Sequence, residues 1–175
     1  MTQIILDKQI AQDDWVLVAD DAALSDGNEV INFSRWNAAN NADSGSEQAA
    51  DKAALIAKRD AGTLGIQLNA GDTADLLAED SQGFALITVE FPKFADGRGY
   101  SAARLLRERY GFTGQLRAVG DVLFDQLFFM MRCGFNAMAM REDQDLDLAV
   151  KGFETFSAPY QGDVNDARPL FRRRG

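Results

Sequence analysis

A glycine-rich turn in the middle of the chain carries residues whose types and spacing suit the binding of an anion. The turn follows an apolar run and opens a basic run with helical spacing. Glycines let the backbone turn sharply, and the first amides of the next helix have no intrahelical acceptor, so they can bind an anion beside an arginine. The pattern predicts an anion site, and the alternative is a tight turn that only caps a helix. The predicted ligands are Gly97, Arg98, Gly99, Tyr100 and Ser101.

Two aspartates near this turn are the candidate catalytic residues. Asp96 directly precedes the first glycine, and Asp121 follows a predicted strand, so either could exchange a proton with a ligand at the turn. Asp121 also suits a helix N-cap, and Asp125 lies four residues later on the same side of that helix. The two carboxylates could hold Mg²⁺. We favour a cap together with a structural ion pair between Asp125 and Arg117, because that arginine stands between apolar residues of a strand.

Composition removes several kinds of chemistry. The chain contains no histidine and a single cysteine, Cys133. Imidazole bases, histidine metal sites, zinc ribbons and thiolate-held iron–sulfur clusters are therefore excluded. Cys133 stands at the end of an apolar helix, where we expect a buried and inert thiol. No cofactor fingerprint and no metal site can be identified.

The charge balance and the N-terminus give an expectation for the compartment. The formal net charge of −9 argues against general binding to nucleic acid or to an anionic membrane surface. The first residues lack the basic start and apolar run of a signal peptide, and no window is apolar enough to span a membrane. We therefore expect a cytoplasmic protein.

Strand and helix patterns alternate from residue 29 onward. Apolar runs of strand length are followed five times by segments with helical spacing or capping signals. This alternation predicts an α/β fold with a parallel sheet, either a partial (βα)-barrel or an open doubly wound sheet. In both arrangements the site lies at the carboxyl ends of the strands.

The 175 residues predict one domain with three parts. Residues 1–36 are expected to form a small N-terminal β-appendage, residues 37–156 the βα-repeat domain, and residues 157–175 a flexible C-terminal tail. Residues 124–131 form a helix that is apolar nearly all round. Such a helix is either buried in the core or a surface for homo-oligomerisation.

Several blocks of residues between about 64 and 156 resemble one bacterial family. The blocks are Phe91-Pro92, Asp96-Gly97-Arg98-Gly99-Tyr100-Ser101, Leu116-Arg117-Ala118, Gly120-Asp121-Val122-Leu123 and Arg132-Cys133-Gly134-Phe135. The sequence resembles the family of domain of unknown function 934, whose members are commonly labelled as oxidoreductases of sulfite reduction. The resemblance implies a link to assimilatory sulfate and sulfite reduction.

Two functions follow as expectations. In the first, the protein is an accessory or assembly protein of that pathway and docks on a sulfite-reduction enzyme or on itself. In the second, it is a small oxidoreductase or an oxyanion- or nucleotide-binding enzyme, with its site at the strand ends around residues 97–101. The apolar helix 124–131 and the lack of cofactor ligands favour the first expectation.

Overall fold

One mixed sheet of eight strands organises the protein. The computed structural model describes residues 2–43, 46–153 and 160–173. Within them the strand order is β2-β1-β8-β7-β6-β5-β4-β3. Strands β3 to β8 are parallel to one another, β1 is antiparallel to β8, and β2 is antiparallel to β1. The strands are β1 Gln3–Leu6, β2 Gln9–Gln12, β3 Trp15–Leu17, β4 Asn28–Asn32, β5 Leu64–Leu68, β6 Leu86–Phe91, β7 Gln115–Gly120 and β8 Ala137–Met138.

The sheet is curled into a half-barrel because its two edges are joined by a very short connection. Strand β2 lies at one edge and β3 at the other, and only Asp13 and Asp14 separate them in the chain. Three residue steps span at most roughly 10 Å. The edges of a flat eight-stranded sheet would lie roughly 34 Å apart, given interstrand spacings of about 4.8 Å. The two edges must therefore converge at residues 13–14, which we call the seam.

The predicted α/β class is confirmed. The sheet, predicted to be parallel, is mostly parallel, and its curl is consistent with the partial barrel. The expected N-terminal β-appendage is wrong in one respect, because its strands β1 to β4 form the two ends of this same sheet. The pairing of β1 with β8 joins residues 5 and 138. A pairing so distant in sequence leaves no local signal, since short strands read alike in an appendage and at an edge.

Helices and 3-10 turns connect the strands. The helices are α1 Phe33–Asn40, α2 Glu47–Asp60, α3 Arg98–Glu108, α4 Leu127–Arg132, α5 Leu146–Gly152 and α6 Leu170–Arg173. The segment between β5 and β6 forms two 3-10 turns, Ala74–Leu76 and Ala78–Gly83. Residues 154–159 and 174–175 of the predicted last helix and tail lie outside the described residues. Of the tail that is described, the backbone amide of Val164 donates to Arg132 O at 3.3 Å.

The hydrophobic core lies on the convex face of the sheet. Alternate residues of the central strands pack there against the helices, with Leu55 of α2 and Leu106 of α3 fully buried among them. The strand residues of this core include Ile66, Leu68, Ile87, Val89, Leu116 and Ala118. Because side chains alternate along a strand, the intervening residues of β5, β6 and β7 face the concave side. In the described part of the chain, no helix is long and apolar enough to cross a membrane.

Candidate functional site

The concave face of the half-barrel carries a row of buried polar side chains. Gln67 of β5 pairs in register with Thr88 of β6, which pairs with Arg117 of β7. Their exposed fractions are 8%, 3% and 4%. Polar residues of these types are rarely this buried unless they are paired. Three buried polar residues at the same level of adjacent strands indicate that this face of the sheet has a role other than apolar packing.

Arg117 is the charged centre of this row. Its Nη1 donates to Asp13 of the seam, 2.9 Å from Oδ1 and 3.0 Å from Oδ2. Burial lowers the pKa of the Arg117 guanidinium, and Asp13 opposes that change. A guanidinium nevertheless stays protonated in proteins. Its Nε is buried and meets no hydrogen-bond acceptor among the described residues. An unsatisfied buried donor costs about 1–3 kcal/mol.

The partner of Arg117 corrects the sequence prediction. The expected ion pair with Asp125 is wrong, because the arginine points to the concave side and binds Asp13 there. Asp125 lies exposed in a 3-10 turn, Phe124–Gln126, that precedes α4. Asp13 was assigned to the N-terminal appendage, so nothing local in the sequence placed it near β7.

A cavity of ≈ 320 Å³ opens in front of Arg117. Its size is at the lower end of the roughly 300–1,000 Å³ found for ligand sites. Side chains from strands β3 to β7 and from the seam surround it. Its polar lining consists of Asp13, Gln67, Thr88, Glu90 and Arg117. Its apolar lining includes Trp15, Val119 and Ala139.

Hydrogen bonds fix most of the polar lining. The Thr88 hydroxyl donates to Gln67 Oε1 at 3.2 Å, and Gln67 Nε2 donates to Asn69 Oδ1 at 3.0 Å. Glu90 Oε2 accepts from the backbone amide of Ala70 at 3.1 Å. These bonds hold the side chains in place before any ligand arrives, which reduces the entropy lost on binding. The buried Arg117 Nε, in contrast, meets no acceptor among the described residues.

The predicted anion turn has a different arrangement from the one expected. The carboxylate of Asp96 accepts from the backbone amide of Arg98 at 3.1 Å and from its guanidinium at 2.6 Å. These hydrogen bonds lower the pKa of Asp96 to about 2. A side-chain carboxylate therefore occupies the position assigned to an external anion. An acid with so low a pKa is also poorly suited to exchange protons at neutral pH.

The other residues of the turn contribute to packing or lie exposed. Gly99 lies against Phe91, where a Cβ would come 2.6 Å from the ring. The Tyr100 ring packs edge-on against Phe91 at 5.1 Å, and burial raises its pKa. Gly97 is the N-cap of α3, and Ser101 is exposed on that helix. None of these residues lines the cavity in front of Arg117.

Asp121 lies at the rim of the half-barrel rather than at a helix N-cap. It follows Gly120, the last residue of β7, and its Oδ2 accepts from the backbone amide of Phe94 at 2.9 Å. Its Oδ1 lies 2.9 Å from Nη1 of Arg141, which also binds Asp143. The predicted capping role is wrong because α4 begins only at Leu127. Among the described residues, no group of three potential ligand side chains could hold a metal ion.

A larger cavity of ≈ 730 Å³ lies near the amino ends of the strands. Arg107 donates to the carbonyl oxygens of Gly134, Phe112 and Gly114. Arg132 Nε lies 3.5 Å from Asp163 Oδ2 and, although buried, makes no hydrogen bond among the described residues. In barrel-like folds this end of the sheet serves stability rather than binding. The smaller concave cavity is therefore the candidate site.

The predicted apolar helix is amphipathic in the structure. Leu127 and Met130 are buried, whereas Phe124 and Phe129 are 41% and 50% exposed. Cys133 is buried, and burial raises the pKa of its thiol. Homo-oligomerisation through the exposed rings of Phe124 and Phe129 stays a prediction.

The residue pattern of β6 indicates part of the concave site, which the predictions from the sequence did not include. Thr88 and Glu90 alternate with Ile87, Val89 and Phe91. A parallel sheet covered by helices on both faces would be apolar at every position. Alternation in a central strand therefore indicates that one face lacks such a cover.

Comparison with known proteins gives a family. The model of a bacterial protein family of unknown function, DUF934, matches residues 65–171, more than half of the chain. The match includes Gln67, Thr88, Glu90 and Arg117 but not Asp13. No curated protein and no solved structure matches the chain.

Proposed function

The chain belongs to the bacterial protein family of unknown function DUF934, and we propose that it binds a small polar ligand in the concave cavity of its half-barrel. One observation carries the proposal: Arg117, whose buried Nε meets no hydrogen-bond acceptor among the described residues, lines a cavity of ≈ 320 Å³. A ligand in this cavity would satisfy that donor.

Stability alone gives little reason for such an arrangement. Replacing a buried ion pair by apolar residues of similar volume is often neutral or stabilising. A half-barrel that needed only a filled interior could carry aliphatic residues at positions 67, 88 and 117. The polar row therefore supports a binding role.

We place this binding protein in assimilatory sulfate and sulfite reduction, as an accessory or assembly protein. The family resemblance is the basis for the pathway. Docking on a sulfite-reduction enzyme is supported by Phe124 and Phe129, whose rings remain exposed beside the buried core of α4. The alternative, an oxidoreductase or an oxyanion- or nucleotide-binding enzyme using residues 97–101, is less favoured because Asp96 already neutralises Arg98.

Ligand binding can be tested by filling the cavity without touching its polar groups. Ala139 lines the cavity, so Ala139→Leu should reduce the space available. Ala54→Leu, on the exposed side of α2, is the matched control. A panel of acetate, phosphate, sulfite, urea and glycerol would be screened by thermal shift and by amide NMR shifts of Gln67 and Thr88.

We expect at least one compound to bind to the native chain and to the control but not to Ala139→Leu. A ligand at ~100 times its dissociation constant stabilises by about 2.7 kcal/mol. For a protein of this size the melting temperature then rises by roughly 5–10 °C. Binding that survives unchanged in Ala139→Leu would place the site elsewhere, and no binding by any compound would contradict the proposal.

Docking needs a separate test. Purified sulfite reductase from the source bacterium would be titrated with the native chain, with Phe129→Ser and with the control Leu76→Ser, which removes an exposed apolar side chain elsewhere. We expect Phe129→Ser to weaken the complex and Leu76→Ser to leave it unchanged. Equal binding by both variants would remove α4 as the docking surface.

A further inference from the structure

We infer that the ligand is a small oxyanion with a single negative charge that still carries a proton, held between Arg117 and Glu90. This ligand class rests on the proposed binding role and narrows it. Hydrogen carbonate and dihydrogen phosphate are simple examples. The uncommitted hydrogen-bond donor of Arg117, the charge of the cavity and the position of Glu90 lead to this class.

The available donor requires a ligand with acceptor oxygens. Gln67 already uses its amide nitrogen on Asn69 and its oxygen on Thr88. Arg117 uses Nη1 on Asp13, while its buried Nε meets no acceptor among the described residues. Carboxylates and oxyanions accept two parallel hydrogen bonds from one edge of a guanidinium, and Nε with its neighbouring Nη forms one such edge. Asp13 can therefore stay on Nη1 while a ligand binds to Nε.

The charge of the cavity limits the charge of that ligand. Arg117 is the cation in the cavity lining, and it is faced there by Asp13 and Glu90, with Asp14 also acting on it electrostatically. Carboxylates thus already outnumber the guanidinium. Because burial weakens screening by water, a dianion would be repelled strongly here. A single negative charge meets half of that repulsion.

Glu90 favours a ligand that carries a proton of its own. On β6 it lies two residues beyond Thr88, roughly 7 Å toward the carboxyl end of the strand, and it lines the same cavity. One of its oxygens accepts from the Ala70 amide. An ionised carboxylate has several acceptor positions and no donor, so a neighbouring ligand must donate to it. An oxyanion with one hydroxyl can accept from Arg117 and donate to Glu90.

The inference can be tested with three anions that separate charge from proton content. Inorganic phosphate, below and above its second ionisation, changes from a singly to a doubly charged ion. Methanesulfonate carries one charge and no proton, and sulfate carries two charges and no proton. Amide NMR titrations of Thr88 and Arg117 would measure each affinity in the native chain, in Glu90→Gln and in Arg117→Gln.

We expect phosphate to bind at least about tenfold more tightly when it is singly charged. Methanesulfonate should bind more weakly than singly charged phosphate, and sulfate should not bind. Glu90→Gln removes one negative charge and adds a donor, so it should reduce the preference for the protonated ion and let sulfate bind. Arg117→Gln should abolish binding. The double variant Asp13→Asn/Arg117→Gln repeats this test without an unpaired carboxylate and should not bind either.

The surface arginine supplies the matched control. Arg98→Gln removes a guanidinium outside the cavity and should leave all affinities unchanged. Sulfate binding as tight as that of singly charged phosphate, unchanged binding in the Arg117 variants, or loss of binding in Arg98→Gln would each overturn the ligand class. If the anions fail but urea or glycerol shifts the same amides, the class is wrong and the proposed binding role stands. If no probe shifts them, both are wrong.

Discussion

The ion pair between Asp13 and Arg117 should contribute strongly to stability, and breaking it from one side should be costly. Asp13→Asn removes the charge but keeps the side-chain shape and an oxygen for the backbone amide of Trp15, which now donates to Asp13 at 3.2 Å. The Arg117 guanidinium would then be buried with no carboxylate in contact. The variant thus isolates the charge from the local turn geometry.

The magnitude follows from burial. The side chains of Arg117 and Asp13 are 4% and 13% exposed, so water screens the pair little. Removing one partner of a buried pair typically costs about 3–5 kcal/mol. Because the asparagine keeps one hydrogen bond, we expect the lower value, about 3 kcal/mol. For a domain of this size the melting temperature should fall by roughly 6–12 °C.

A double-mutant cycle in urea separates this charge effect from general damage. Asp13→Asn, Arg117→Gln and their combination would be unfolded in parallel, with the slope against urea checked for constancy. The combination leaves a neutral polar pair, so its loss should be about 2 kcal/mol smaller than the sum of the two single losses. A loss below about 1 kcal/mol in Asp13→Asn, or strictly additive single effects, would refute the claim that this guanidinium depends on Asp13.

Three further outcomes are expected. Gly99→Ala places a Cβ 2.6 Å from the Phe91 ring and should lower urea stability by about 1–3 kcal/mol; no loss would mean that α3 can shift freely. The carboxyl group of Asp96 should titrate in NMR with a pKa of about 2. The pKa of Asp96 is depressed in the folded protein, so the ionised carboxylate stabilises the protein above the ordinary pKa of about 3.9, and this stabilisation is lost as pH falls through the folded pKa. Arg98→Gln should return the titration midpoint of Asp96 toward the ordinary value. An unmoved midpoint would contradict Arg98 as the cause of the low pKa. The native chain should self-associate in sedimentation velocity and dissociate in Phe129→Glu, and a monomeric native chain would exclude the interface over residues 124–131.

The central sheet could be predicted because its signals are local. The apolar runs at β5, β6 and β7 are of strand length and are separated by helical spacing, so the parallel α/β class follows from periodicity. The start of α4 could not be placed in the same way. Residues 121–133 are apolar with helical spacing, yet Asp121 binds the Phe94 amide and Arg141 instead of capping a helix. Those contacts join residues 20 or more apart, and no local pattern reports them.

The candidate site could not be predicted from the sequence because its contacts join residues that are even farther apart in the chain. Arg117 signals a buried carboxylate partner, but that partner lies 104 residues earlier in the chain. Asp13 reaches it only because the sheet curls until β2 and β3 almost meet, which the two-residue seam enforces. In a flat sheet the same aspartate would lie at an edge, several strands from Arg117. The curl of the sheet therefore determines where the carboxylate of Asp13 lies. Lengthening the seam should separate Asp13 from Arg117 while leaving the helix-covered convex core intact.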